Sequence, residues 1–305
     1  MSNTVRPFFG FSLSLITAVL WGVLPLFLAI CLQVMDSATI TVYRFIVAGL
    51  FVLCVLMAKS AMPPFRKIGT SALLLVGAAT IMLVVNYVTN VIGLKYLSPG
   101  SVQVLMQLAP LALMLGGVFI YKEPYTRIQF IGTCVLLIGL GLFFNQRLPQ
   151  ILASETEDSL GIIIIIGSAL AWAGYALCQK VLLRKMTAMQ LTLFIYLLGA
   201  LILVPFSEFS LIVELNSVQW WSLGFCCLNT IIAYGAFTEA LRIWHASRVS
   251  AVIALAPIFT FLSMLVAEHI APDWFIQPEM GVMAWAGAAL VIGGSIITAL
   301  GKAKT

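Results

Sequence analysis

The sequence predicts an all-α membrane protein with ten transmembrane helices, arranged as two inverted five-helix repeats. Of its 305 residues, 62% are hydrophobic and only 9% are charged, and the mean hydropathy is +1.10. A soluble domain carries about 25% charged residues, so this chain cannot cover a water-facing surface. Ten apolar runs reach the roughly 20 residues that a helix needs to cross a bilayer core. They lack the alternating pattern of membrane-barrel strands, and the first half of the chain resembles the second.

The ten predicted spans follow one another through short polar connections, except for a longer linker after the fifth. They are Gly10–Ile30, Ser37–Ala58, Gly69–Gly93, Ser98–Tyr121, Thr126–Asn145, Leu160–Gln179, Ala188–Phe206, Ser217–Ala240, Ala246–Glu268 and Met280–Leu300. The first run follows a single basic residue, Arg6, and is too long for a signal peptide, so we expect it to remain as a span. The predicted division is a first repeat at 1–147, an outer linker at 148–159 and a second repeat at 160–305.

An internal duplication is visible when the sequence is shifted by 147 positions. Tyr87 then meets Tyr234, and Ala109-Pro110 meets Ala256-Pro257. A constant offset over some thirty residues indicates a repeat rather than chance similarity. Trp21 and Trp172 match at an offset of 151, which requires insertions only in loops. Because each repeat has an odd number of spans, the second enters the membrane from the opposite side. The two are thus related by a pseudo-twofold axis in the membrane plane.

The basic residues fix the predicted orientation. The segments on the same side of the membrane as the N-terminus carry thirteen basic residues: Arg6, Lys59, Arg66, Lys67, Lys122, Arg127, Lys180, Arg184, Lys185, Arg242, Arg248, Lys302 and Lys304. The opposite segments carry only Lys95 and Arg147. The positive-inside rule therefore predicts a multi-pass protein of the cell (inner) membrane with both termini in the cytoplasm. The charge of +5 forms no basic patch of the kind that binds nucleic acid.

Cofactor, metal and catalytic motifs are not found in the sequence. The six cysteines lie in or beside apolar runs without metal-ligand spacing and are interpreted as packing residues. The three aspartates, Asp36, Asp158 and Asp273, fall in predicted outer loops. The chain contains no GxSxG, HExxH or phosphate-binding loop, so we do not expect an enzyme.

Polar and aromatic residues inside the spans are the candidates for binding a solute. The spacing of Gln103, Gln107 and Pro110 places them on one face of span 4, and Asn86 and Asn90 share a face of span 3. Amides inside a membrane avoid lipid, so these residues either line a cavity or join helices by hydrogen bonds. Tyr87 lies beside the two asparagines.

Two matched prolines, Pro110 and Pro257, lie near the middle of spans 4 and 9. A proline within a helix frees the carbonyl four residues earlier, here at Met106 and Ile253. In lipid such a carbonyl needs a partner or a cavity. The prolines either kink the helices beside a solute path or serve packing alone.

Arg44 lies within span 2, where it either extends outward, toward Asp36 for example, or binds an anionic group such as a carboxylate. Trp21 and Trp172 fall near mid-span rather than in the interfacial belt that tryptophan prefers, so they line a pocket or pack in the core. Tyr175 and Tyr234 complete the candidate set.

The chain resembles the drug/metabolite transporter superfamily in its EamA-domain branch, over nearly its whole length. The resemblance is carried by Trp21, Trp172, Tyr43-Arg44-Phe45, Ala48, Leu97-Ser98, Leu108-Ala109-Pro110, Lys122-Glu123-Pro124, Ala256-Pro257 and Glu268. The second repeat departs from the pattern at Glu268-His269-Ile270. The resemblance implies a solute carrier of a group that exports amino acids, small metabolites or toxic compounds.

These observations favour a membrane carrier that exports a small solute by alternating access. An intramembrane enzyme and a passive channel are the alternatives. The expected partners are a small-molecule solute and the lipid bilayer. Glycines give spans 5 and 10 smooth faces, which serve packing within the bundle or form the seam of a homodimer.

Overall fold

The computed structural model describes residues 5–63, 69–122, 124–145, 157–243, 246–270 and 280–301. Within these ranges the chain is nearly all helical and has no strand. The spans are 1 (Val5–Cys31), 2 (Ser37–Ala58), 3 (Thr70–Gly93), 4a (Pro99–Leu105), 4b (Leu108–Tyr121), 5 (Arg127–Phe143), 6 (Glu157–Leu182), 7 (Ala188–Leu203), 8 (Ser217–Ile243), 9a (Ala246–Ile253), 9b (Ala256–Ile270) and 10 (Val282–Leu300). The predicted fold class is confirmed.

Span 5 is one of the short crossings. In the described parts of the chain, nine helical segments are long and apolar enough to cross a membrane, and Arg127–Phe143 is a shorter apolar helix of 17 residues. At 1.5 Å per residue it is about 26 Å long, close to the thickness of a bilayer core.

Polar side chains define where several spans begin. The Asp36 carboxylate accepts hydrogen bonds from the amides of Ala38 (2.8 Å) and Thr39 (2.9 Å) at the start of span 2. Thr126 and Thr187 open spans 5 and 7 with capping boxes. These bonds satisfy amide groups that have no partner within the helix.

Besides the breaks in spans 4 and 9, the element boundaries differ from the prediction around the linker and between spans 7 and 8. Span 6 begins at Glu157, inside the predicted linker, and the connection between spans 7 and 8 contains an unpredicted 3₁₀ helix, Phe209–Glu214. Residues 146–156, which include most of the linker predicted at 148–159, lie outside the described residues, as do residues 271–279 and Glu123.

Helices pack mainly against helices of the other repeat. Span 5 pairs with span 10 and span 2 with span 7. Span 1 packs on spans 8 and 9, and span 6 packs correspondingly on spans 3 and 4. The pairs 5–10 and 2–7 each join equivalent spans of the two repeats. The contacts of span 1 with spans 8 and 9 correspond to those of span 6 with spans 3 and 4. The two sequence repeats therefore interleave and do not form separate bundles.

The glycines of spans 5 and 10 face each other within the chain. A Cβ atom added to Gly139 would lie 2.6 Å from the Val291 amide nitrogen, and one added to Gly294 would lie 2.4 Å from that of Leu136. Gly132 and Gly287 make similarly close backbone contacts across the pair. These four glycines therefore serve packing within the bundle. The homodimer seam predicted for spans 5 and 10 stays a prediction, and it would have to use the faces of these spans that point away from each other.

Candidate functional site

A group of aromatic rings from both repeats lies at the centre of the bundle. Trp21 contacts Tyr234, with ring centroids 5.3 Å apart, and Phe237 at 5.4 Å. Tyr234 in turn stacks with Tyr87 at 6.4 Å. Three of the residues predicted from the sequence therefore meet in space. Spans 1, 3 and 8 carry them, so the contact joins the two repeats.

A second pair of rings extends this group toward spans 2 and 7. The Phe45 ring lies 4.8 Å from Tyr87 and 5.2 Å from Tyr196. Gly199 provides the space, because a Cβ atom there would lie 2.6 Å from Phe45 Cε2. We call Trp21, Phe45, Tyr87, Tyr196, Tyr234 and Phe237 the central aromatic cluster. Tyr196 lies 151 positions after Phe45, the offset that relates Trp21 to Trp172, so the repeat contained a signal for this pair that the prediction missed.

Arg44 points into this cluster. Its side chain is 3% exposed, its Nε donates a hydrogen bond to Thr230 Oγ1 at 3.0 Å, and its Cζ lies 4.5 Å from the centre of the Tyr87 ring. The alternative that Arg44 extends toward Asp36 is wrong, because Asp36 caps span 2 and Arg44 turns inward to span 8.

Tyr87 is the most connected residue of the cluster. It is 5% exposed, and its hydroxyl group is buried without a hydrogen-bond partner. Tyr175, Tyr196 and Tyr234 lie close enough to interact with it electrostatically. Tyr196 and Tyr234 come near hydrogen-bonding range of this hydroxyl group, but no bond of normal geometry forms. A buried hydroxyl group without a well-formed bond costs free energy, so this atom is a candidate to bind a solute.

Asn86 has a structural partner on span 6. Its Nδ2 donates to Ser168 Oγ (2.9 Å) and to the Ser168 carbonyl oxygen (3.0 Å), and Ser168 Oγ donates back to the Asn86 carbonyl oxygen (3.0 Å). The counterpart in the other repeat is a bond from Thr17 Oγ1 to the Ala233 carbonyl oxygen at 3.3 Å. The amide of Asn86 is therefore occupied by a helix–helix contact that has an equivalent across the pseudo-twofold axis.

Spans 4 and 9 are interrupted rather than kinked. The breaks fall between Leu105 and Leu108 and between Ile253 and Ala256. Pro110 and Pro257 thus lie in the first turns of spans 4b and 9b, where an amide proton has no helical partner in any case. The Met106 carbonyl oxygen, which was predicted to be free, accepts a hydrogen bond from the Ala109 amide at 3.0 Å.

The break in span 4 also separates the residues that were predicted to share one face. Gln103 is half-buried, Gln107 is buried and Pro110 is exposed, because bonds between residues three apart tighten the chain at the break. The Oε1 atom of Gln107 is buried without a partner. Pro257, the counterpart of Pro110, is buried.

A proline in span 1, which the prediction overlooked, lies next to Trp21. Pro25 has no amide proton for the Trp21 carbonyl group. The neighbouring carbonyl groups are held from outside the span: Asn229 Nδ2 donates to Leu20 (2.6 Å) and Thr260 Oγ1 donates to Gly22 (2.7 Å). The backbone of span 1 is therefore fixed by spans 8 and 9 on either side of Trp21.

The remaining predicted residues lie around the cluster. Trp172 packs against the hydrophobic core that contains Tyr87, and Tyr175 is a buried member of that core. Asn90 is half-buried, one turn from Asn86 toward the end of span 3. Among the described residues there is no group of three or more His, Cys, Asp or Glu side chains that could hold a metal ion.

Comparison with known proteins gives consistent results. The model of the EamA-like transporter family matches residues 8–145 and 159–300. An uncharacterized transporter of Haemophilus influenzae is 39% identical over 97% of this chain and 96% of its own length. The uncharacterized inner membrane transporter YhbE of Escherichia coli K12 is 37% identical over 96% of this chain and 91% of its own. A crystal structure with 18% identity covers 97% of this chain and 96% of its own with a TM-score of 0.62, which supports the fold.

Proposed function

Because the chain belongs to the EamA-like transporter family, we propose that it is a secondary carrier that exports a small solute across the inner membrane by alternating access. The solute would be an amino acid or related metabolite, or an amphipathic drug. The family match and the similarity to inner membrane transporters identify the chain as a multi-pass membrane transporter. The observation that carries the finer proposal is the central aromatic cluster, in which rings of both repeats meet beside interrupted helices.

The interrupted helices support a binding site at this depth. Irregular backbone within a membrane is tolerated where protein or a cavity satisfies it, and discontinuous helices commonly form the solute site of secondary transporters. Ring faces would bind the apolar body of the solute. The unpartnered hydroxyl group of Tyr87 and amide oxygen of Gln107 would supply polar contacts, as in most small-molecule pockets.

The packing suggests that the rigid units that move during transport are not the two sequence repeats themselves. Because spans 1, 8 and 9 pack together, as do spans 3, 4 and 6, we propose that these two groups move against each other about the aromatic cluster. At the end of the bundle where span 4 begins, span 4a packs against span 9b, and a Cβ atom at Gly100 would lie 2.5 Å from Phe261 Cε1. With both termini in the cytoplasm, this contact would close the outer side, and the solute would enter from the cytoplasm.

A ligand screen followed by transport tests this function. Purified protein is screened by thermal shift against amino acids, nucleosides and cationic drugs, and each hit is tested for counterflow in proteoliposomes. A carrier gives saturable flux that is stimulated by solute on the opposite side. Flux that never saturates would identify a channel, and chemical change of the solute without net movement would identify an enzyme.

Two matched tryptophan variants test the location of the site. Trp21→Ala removes a ring at the centre of the cluster and is expected to abolish both ligand shift and counterflow. Trp221→Ala removes a ring that is 81% exposed near the start of span 8 and is expected to preserve both. Gln107→Ala is expected to weaken binding. Wild-type ligand shifts in Trp21→Ala and Gln107→Ala would refute the site while leaving the family assignment intact.

A further inference from the structure

The strongest unexplained feature of the bundle is the cation at its centre. Arg44 begins the third turn of span 2, about 10 Å from the first residue of that helix. In the described part of the chain its guanidinium group contacts Thr230 and the Tyr87 ring, and no carboxylate pairs with it. An ionised side chain buried in a membrane protein is expensive unless it is paired, and such residues usually mark a solute or ion path.

The two protein contacts leave part of the guanidinium group available. Arginine has five N–H donors, and Thr230 receives only the one on Nε. Thr230 Oγ1 itself donates to the Cys226 carbonyl oxygen at 2.9 Å, so the threonine is held in place by its own helix. The guanidinium carbon lies over the Tyr87 ring, 4.5 Å from its centre. Arg44 is thus oriented by uncharged groups, and neither of them neutralises the charge that is delocalised over its guanidinium group.

A second unsatisfied group lies at the same place. The Tyr87 hydroxyl group, on the ring beneath the Arg44 guanidinium carbon, is buried and forms no hydrogen bond of normal geometry, with Tyr196 and Tyr234 as its polar neighbours. A hydroxyl donor beside a planar cation suits an acceptor with two oxygen atoms and one negative charge, because guanidinium and carboxylate groups form paired hydrogen bonds. A cationic solute would instead bring like charges together.

Resting on the proposed transport function, we propose that Arg44 and Tyr87 form a subsite for the carboxylate group of the solute. The transported class is then small monocarboxylates with a ring-sized apolar body. Trp21, Tyr234 and Phe237 contact one another beside Tyr87 and remain half-buried rather than fully enclosed, so they form the wall for that body. Amines and neutral amides of the same shape bind weakly, because they leave Arg44 without a counter-charge.

The test compares carboxylates with their own amides. Binding of L-phenylalanine and L-phenylalaninamide, and of 3-phenylpropionate and 3-phenylpropionamide, is measured by calorimetry on the purified full chain, with 2-phenylethylamine as the cation. The carboxylate member of at least one pair is expected to bind at least about 10-fold more tightly than its amide, which is the range of a hydrogen bond to a charged group. The two pairs also determine whether the solute carries an amino group.

Three variants assign the preference to the subsite. Arg44→Gln is expected to remove the preference for carboxylate over amide, and Tyr87→Phe to raise the Kd of the carboxylate about 3-fold to 10-fold by removing one donor. Lys180→Gln is the matched control, because Lys180 also lies over a tyrosine ring, Tyr121 at 4.7 Å, but at the exposed end of span 6. It is expected to leave the preference unchanged. Should Arg44→Gln fail to fold, Tyr87→Phe still provides the test.

The outcomes separate this proposal from the transport function. If no carboxylate binds, or if amides or the amine bind as tightly, the carboxylate subsite is refuted even when counterflow of another solute succeeds. If Arg44→Gln folds and keeps the carboxylate preference, Arg44 has a structural role only. If carboxylates bind with the expected preference but no solute shows counterflow, the subsite holds and the transport function fails.

Discussion

Replacing Gly139 with alanine is expected to separate spans 5 and 10 at their closest approach. The added Cβ atom would lie 2.6 Å from the Val291 amide nitrogen and 2.9 Å from both the Gly287 carbonyl oxygen and Leu290 Cβ. Two of these atoms belong to the backbone, so no side-chain rotation relieves the contact. Overpacking of this kind costs about 1–3 kcal/mol, because the helices must move apart and lose contacts along their length.

The matched control lies two residues away on the same helix. Gly141 is exposed, and a Cβ atom there would meet nothing within 4 Å. Gly141→Ala is therefore expected to be neutral or to stabilise the helix by up to about 1 kcal/mol, the difference between glycine and alanine in a helix. The assay is thermal unfolding of both variants and the wild type in one detergent. Equal unfolding temperatures for the two variants would refute the glycine seam.

Three further expectations follow from the contacts between spans. In a double-mutant cycle, Asn86→Ala and Ser168→Ala should be coupled by about 0.6–1.7 kcal/mol, the range of interhelical hydrogen bonds in membranes, and additive effects on unfolding would contradict the reciprocal pairing. Thr260→Val keeps the side-chain volume but removes a donor to span 1, so a loss of about 1 kcal/mol is expected, and an unchanged unfolding temperature would show that this bond is not needed. The predicted orientation places Lys95 outside and Lys185 in the cytoplasm, and both positions are exposed. In a background without the native cysteines, a membrane-impermeant maleimide added outside intact cells should therefore label Lys95→Cys and not Lys185→Cys. The reverse labelling would overturn the predicted orientation.

The fold was predictable because the bilayer constrains helices strongly. Length and apolar composition suffice to identify a crossing helix, and all ten predicted spans have helical counterparts. The interruption of spans 4 and 9 was only partly predictable. Pro110 and Pro257 indicated irregular backbone, but the sequence did not distinguish a kink within a helix from a break just before the proline.

The site was predictable as a set of residue types and not as a set of contacts. Mid-span depth indicates Trp21, the repeat pattern indicates Tyr87 and Tyr234, and the three rings meet. Asn86 was selected as a polar residue within a span, yet its amide is bonded to Ser168. An intramembrane amide must find a partner, and the sequence alone does not distinguish a solute from a neighbouring helix.

By itself, the sequence determined that this protein crosses the membrane as helices, that its two halves are related, and that they run in opposite directions, because burial in lipid and an odd number of spans leave little choice. Only the tertiary structure decided which side chains are partners. Asn86 and Ser168 are 82 positions apart, and Arg44 and Thr230 are 186 apart. Such contacts depend on how the repeats interleave, which is fixed by close packing at glycines and aromatic rings. The sequence indicates some of these packing residues, but no local pattern tells which residue each of them meets.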